Sequence, residues 1–181
     1  MVLVLSSFSP DPTTRKAPSA SRAACTYTAL QPTIQSLIPA MGGYLWLVWY
    51  NATSKLSPKH WTLAVTYEAH DRAYATVYEV SNEYSGYYKS RVIRRVHLTS
   101  NHPSGAYGGR ILLGEINDNV LCSLEAYSDT AAELVNSQNR KRGQDSANCH
   151  DWALIIVRSL EDAMLLPQGA LARLEKCPRV G

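Results

Sequence analysis

Apolar positions along this 181-residue chain follow two different periods. Between residues 43 and 116 they fall in short runs rich in aromatic and β-branched side chains, as strands do. The runs are "GYLWLVWY" (43–50), "HWTLAVTY" (60–67), "AYATVYEV" (73–80), "SRVIRRVHL" (90–98) and "GRILLGEI" (109–116). The polar "EAHDR" joins the second run to the third, and "TSNHPSGAYGG" reads as a loop by its Asn, Pro and Gly content. From residue 121 the spacing becomes three and four. Residues 121–136 predict one helix, and 149–166 carry the strongest helical pattern in the chain, stopped by Pro167. The polar "SQNRKRGQDSA" reads as the linker between these helices, and the tail from Gln168 is weakly patterned. Residues 6–22 are rich in Ser, Thr and Pro and hold too little apolar surface to fold. The pattern therefore predicts a disordered segment over 1–24 and a single domain over 25–181. Its class is α+β: an antiparallel sheet of four to five strands with helices packed on one face.

Alternation assigns faces. In the second strand His60, Thr62, Ala64 and Thr66 share one side, and Trp61, Leu63, Val65 and Tyr67 form the core side. In the fourth, Val92, Arg94, Val96 and Leu98 oppose Arg91, Ile93, Arg95 and His97. A hairpin centred on Glu68–Asp71 sets Val65 opposite Tyr74 and His60 opposite Glu79, and a slip of one residue would substitute Tyr78 or Val80.

Composition removes several functions. A formal net charge of +3, with basic clusters at Arg91/Arg94/Arg95 and Arg140/Lys141/Arg142 that lack interleaved aromatic platforms, argues against nucleic acid as a partner. Four cysteines at 25, 122, 149 and 177 form no Cys-x-x-Cys pair, so no metal site of standard zinc spacing is expected. Met1–Leu5 is apolar for only five residues, which is no secretory signal; free thiols and a cytoplasmic setting follow as the expectation. No apolar run reaches the length of a membrane span. The glycines at 105–109 lack the strand-to-helix context of a phosphate loop, and no dinucleotide fingerprint occurs, so no cofactor is expected.

The chemistry concentrates at "DSANCHDW" (145–152), just before the strongest helix. Asn148 is a preferred N-cap, and Asp151 stands three residues on, where it can complete a capping box. Cys149 then becomes the first helical residue, beside free backbone N–H groups and the positive end of the helix dipole. Both favour the thiolate over the thiol. The helix stripe runs Trp152, Ala153, Ile156, Leu160, Ala163 and Met164, and Cys149 lies on it, facing the sheet. That placement suits a nucleophile, and it suits a buried structural cysteine equally. A thiolate nucleophile needs a histidine base. His150 points elsewhere round the helix, His102 sits in a loop, His97 ends a strand and His70 lies at a turn; His60 opens a strand on a small, partly polar face. Glu79, across from it, can hold its tautomer.

A strand opening in His60-Trp61, followed late in the chain by a helix opening in Asn148-Cys149 with Trp152, resembles the circularly permuted papain-like superfamily. Lecithin retinol acyltransferase, related phospholipid acyltransferases and several uncharacterised fungal families belong to it. The resemblance spans residues 43–166. It implies Cys149 as nucleophile, His60 as general base and a polar third residue on the next strand; many members carry His there, whereas "VYEVSN" (77–82) offers Glu79. Trp61, Tyr78, Asn148 and Trp152 are the expected substrate-binding neighbours. The retinol branch carries a hydrophobic anchor that this sequence lacks, which argues against a bilayer substrate. The implied function is a hydrolase or acyltransferase on a small-molecule acyl substrate, including amide formation or cyclisation of the kind used in fungal secondary metabolism. Two other readings stand beside it. One is a non-catalytic binding module using the tyrosine-rich segments 78–88 and 106–109. The other is a cofactor-free isomerase or cyclase working with His60 and Glu79 while Cys149 is buried.

Overall fold

The computed structural model describes residues 42–52, 57–82, 86–142 and 147–180, all within the compact unit Thr33–Gly181. Residues 1–24, expected to be disordered, lie outside the described residues. Five strands form: β1 (Gly43–Asn51), β2 (His60–Thr66), β3 (Tyr74–Ser81), β4 (Lys89–His97) and β5 (Ala106–Ile116). Three helices follow: α1 (Asp118–Arg142), α2 (Cys149–Asp162) and α3 (Ala170–Glu175). The strands make one sheet in the order β4-β3-β2-β1-β5, antiparallel throughout. This is the expected α+β class with its sheet at five strands. Among the described residues no helix is long and apolar enough to cross a membrane.

Both faces of the sheet are apolar, but among the described residues only one meets helices. Leu45, Leu47, Trp61, Leu63, Val65, Tyr78 and Val80 pack with Val120, Leu124, Val135, Trp152, Ile156 and Leu160 of α1 and α2. The opposite face gathers Trp46, Val48, Tyr50, Ala64, Ala75 and Val77 with Leu98, and no helix contributes to that cluster. Because β4 and β5 are the two edges, the connection between them has to cross the sheet, and it does so on this helix-free face. Leu98 is buried in the cluster, and Tyr107 packs at its margin. A Cβ on Gly105 would collide with the backbone of Asn51, so the glycine lets the loop settle against the end of β1.

Three details depart from the periodic reading. The β2–β3 pairs are Leu63↔Tyr78 and Val65↔Thr76, two residues from the predicted register, so His60 does not face Glu79 directly. The turn is longer because Arg72 and Ala73 belong to it: Ala73 N–H donates to His70 (3.1 Å), and the Ala73 carbonyl accepts from Leu98 (3.0 Å). In β4 the alternation breaks at a bulge. Val77 pairs with Ile93 but Ala75 with Val96, and Arg95 takes a left-handed φ of 61°. Val96 therefore joins Ile93 on the helix-free face, while Val92 packs towards the helices. Finally, α2 ends at Asp162, short of Leu166. Met164 adopts φ 56° and lies exposed, while the N–H groups of Leu165 and Leu166 turn back to the Leu160 carbonyl.

Of the polar stretch read as a linker, residues 137–142 are the last turns of α1, which ends in Arg140, Lys141 and Arg142, favourable at a helix C-terminus. Two of its asparagines, Asn136 and Asn139, are buried docking points. Asn136 exchanges two hydrogen bonds with the Tyr88 backbone (2.7 and 2.8 Å), and Asn139 two with that of Ala147 (2.7 and 3.0 Å).

Candidate active site

Asn139 fixes Ala147, and Ala147 leads directly into the start of α2. Asn148 there is the N-cap, in extended backbone (φ −146°, ψ −162°). Its side chain accepts from His150 N–H (2.9 Å), and Asp151 accepts from Asn148 N–H (2.9 Å), which completes the capping box. Cys149 is the first helical residue, half-buried, and its own N–H has no intrahelical acceptor.

This helix start is anchored on the residue before β2. The Lys59 carbonyl accepts from His150 Nε2 at 2.8 Å, and the Cys149 Sγ lies 4.0 Å from the same oxygen. The His150 ring meets Trp61 edge-on, with centroids 4.5 Å apart. Burial lowers the proton affinity of His150 and keeps it neutral, as suits a donor to a carbonyl. The C-terminal residues brace the other side: Lys59 N–H donates to the Arg179 carbonyl (2.8 Å) and Trp61 Nε1 to that of Pro178 (3.0 Å).

His60 follows immediately, on the helix-free face. Its Nε2 lies 3.1 Å from Oε2 of Glu79, a buried carboxylate on β3. The contact is diagonal across the strand pair. A register shift of two leaves the face of every side chain unchanged, so the pair survives the error in the predicted register. With Nε2 taken by Glu79, Nδ1 is the nitrogen left for the hydrogen bond with the Cys149 thiol. Burial opposes charge on this imidazole, but the hydrogen bonds to Cys149 and Glu79 outweigh it and push its pKa up to about 9. Burial would likewise raise Glu79, yet the hydrogen bonds from His102 and then His60 hold it down at about 2.

His102 is the residue that sequence reasoning left in a loop. Its Nε2 sits 2.8 Å from the same Glu79 oxygen, and its ring stacks on His60 with centroids 5.0 Å apart. Tyr50 on β1 supports both rings. No spacing in the sequence marks His102; the crossing of the β4–β5 connection over β2 and β3 brings it there, and that requires the strand order. Arg91 on β4 lies 3.8 Å from the other Glu79 oxygen.

A cavity of about 460 Å³ opens at this end of the sheet. Cys149, Asn148, His60, Glu79 and His102 are on its wall, with Arg91 at one side. Of the expected site residues, then, Cys149, His60, Glu79 and Asn148 come together. Trp61, Tyr78 and Trp152 do not line the cavity. They belong to the core between sheet and helices, and the Trp152 indole donates to the Ser128 carbonyl (3.0 Å). Large apolar surface on the helix side of each strand is better buried against α1 and α2 than left at a polar opening.

His60, Glu79 and His102 present three ligand atoms within 4.8 Å of one another, a grouping that cysteine spacing does not reveal. The hydrogen bonds argue for protons in it rather than an ion. Nδ1 of His102 accepts from Ser104 N–H (3.1 Å), so the proton sits on Nε2 and leaves no lone pair there for a metal. Comparison of the chain with protein-family models, with curated proteins and with solved structures gives no match.

Proposed function

We propose that this chain is a cysteine-dependent acyl-bond enzyme, a hydrolase or acyltransferase, acting on a small acyl substrate in the cavity at the sheet end. The observation that carries the reading is the arrangement of Cys149 at a capped helix start, within hydrogen-bonding reach of an imidazole whose far nitrogen is held by a buried carboxylate. The Cys149 proton passes to His60, and the thiolate attacks the substrate carbonyl. The Cys149 N–H, which has no acceptor within its own helix, then serves the developing oxyanion. As the tetrahedral intermediate collapses, the bond to the leaving amine or alcohol breaks and His60 returns its proton to that group. A thioester on Cys149 remains. Water, or an acceptor amine or alcohol, then gives a proton to His60, attacks the thioester and restores the thiol. Glu79 stays ionised throughout and stabilises the imidazolium.

The order of elements, with the His-bearing strand ahead of the Cys-bearing helix, supports a circularly permuted papain-like relationship as part of the same proposal. Lys59 and Arg91 give the cavity wall a cationic side, compatible with a polar acyl substrate.

The test is acyl-enzyme trapping. Intact-protein mass spectrometry after incubation with a panel of small activated esters and thioesters should show one acyl group on Cys149, absent in Cys149→Ser and slow in His60→Ala. Acylation spread equally over Cys122 and Cys149, or none under conditions that acylate free cysteine, would overturn the reading.

A further inference from the structure

We infer that His102 is a positioning residue for the Cys149–His60 pair: from its loop it donates a hydrogen bond that keeps Glu79 ionised and its Oε2 turned towards His60. The inference deepens the thiol reading and rests on it.

The loop fixes both the place and the proton of this ring. His102 and Gly105 form an isolated bridge, with His102 N–H donating to Gly105 (3.0 Å) and Gly105 N–H to His102 (2.9 Å). Tyr107 N–H donates to the Asn101 side chain (2.9 Å), which closes the loop base. Within this turn Ser104 N–H donates to His102 Nδ1 (3.1 Å). A neutral imidazole that accepts at Nδ1 carries its proton on Nε2. The group 2.8 Å from Glu79 is therefore an N–H donor with one orientation available to it.

Glu79 needs that donor. Its side chain is 1% exposed, and a carboxylate so buried loses its charge unless hydrogen bonds or cations replace water. The groups facing it are His60 from β2, His102 from the crossing loop, Arg91 from β4 and the Tyr50 phenol from β1, with Cys149 behind His60. Tyr50 brings no positive charge. Arg91 is half exposed and 3.8 Å away, a weak hold. His60 Nε2 also donates to Glu79, but its hold on the carboxylate weakens each time Nδ1 gives up its proton and the ring loses its charge. Among the described residues, His102 gives Glu79 a hydrogen bond from a donor that takes no part in the chemistry. Without it Glu79 takes up a proton at higher pH, and a protonated carboxyl no longer stabilises the imidazolium. Thiol reactivity is then lost from the acid side first.

The experiment measures iodoacetamide labelling of Cys149 by mass spectrometry from pH 3 to pH 8 in the full chain, its His102→Ala variant and His102→Gln. The Gln amide can place an N–H near the position of Nε2. The expected result is an acid limb that moves up by about one pH unit or more in His102→Ala and returns most of the way in His102→Gln. A merely structural loop residue would change the rate at all pH values or lower the melting temperature, without moving that limb. An unmoved limb in folded His102→Ala overturns the inference. A second measurement needs no variant: the Glu79 carboxyl, followed by carbon-13 NMR in the wild type, should titrate well below its ordinary range. Titration at or above that range overturns the inference too. If Cys149 proves unreactive in the wild type, the thiol reading fails by itself, while the carboxyl titration still decides whether Glu79 is held ionised.

Discussion

Replacing Glu79 by Gln keeps the side-chain volume and removes the charge beside His60. The rise of the His60 pKa from 6.5 to about 9 corresponds to about 3 kcal/mol in favour of the charged ring. Cys149 supplies the larger favourable share and Glu79 the smaller, both working against burial. Loss of the carboxylate should therefore cost the thiolate–imidazolium pair between about 1 and 2 kcal/mol, roughly a tenfold fall in its population near pH 6. Alkylation of Cys149 at pH 6 reads that population directly, with Cys122 and Cys177 as internal references in the same mass spectrum. Near pH 9.5 an ordinary thiol is ionised without help, so the two proteins should converge there. Equal rates at both pH values would show that Glu79 contributes nothing to the pair. An equal reduction at both would show that the substitution damages access or folding rather than charge, and the electrostatic reasoning would fail.

The same groups make stability depend on pH in both directions. Glu79 is depressed from 4.5 to about 2, so its contribution of about 3 kcal/mol is complete above 4.5 and disappears as pH falls towards 2; urea unfolding at pH 5.5 and pH 3 should show about 2 kcal/mol of that loss. His60 is raised, so its share is complete below 6.5 and lost as pH rises through 9. Part of the two shares is one interaction and does not add. Trp152→Ala should cost about 3–5 kcal/mol in denaturant unfolding, because a fully buried indole and its bond to Ser128 are removed; a near-neutral effect would return Trp152 to the site. Asn139→Ala removes both hydrogen bonds that hold Ala147 and leaves its backbone groups buried without these partners. About 2–4 kcal/mol should be lost, together with the fast phase of Cys149 labelling, and unchanged labelling would show that the helix start holds its place without this clamp.

Much of this was legible because the signals are local. Strand and helix positions follow from period, and the cap at Asn148 follows from side chains three residues apart. The His60–Glu79 pair was found through a wrong register that happened to keep parity: 60 and 79 stay on one face whether the pairing is shifted by two or not. The misplaced aromatics show the opposite case. Trp61 and Tyr78 neighbour His60 and Glu79 in the sequence, but on a strand the adjacent residue points to the opposite face, so proximity along the chain predicted separation in space; Trp152 shares the stripe of Cys149 but lies one turn further in, where the core between sheet and helices buries it. Asn139 read as linker because composition cannot distinguish a solvated amide from one that satisfies buried backbone. His102 depends on strand order, which is a property of the whole sheet and leaves no local trace.

Strand order also explains why the site sits where it does. Cys149 belongs to the helix side of the sheet and His60 to the other, and within the sheet two such side chains are separated by the backbone between them. They can meet only where that backbone begins, and His60 is the first residue of β2. The Lys59 carbonyl marks the edge round which the contact is made, accepting from α2 on one side just before His60 turns to the other. Moving the histidine two residues into the strand, to the place of Thr62, would keep its face and its carboxylate neighbour yet put the strand between it and the thiol. The pairing of an N-cap with a strand start is therefore the geometric condition for the chemistry, and the bracing of residues 58–61 by the C-terminal residues 178–180 maintains it.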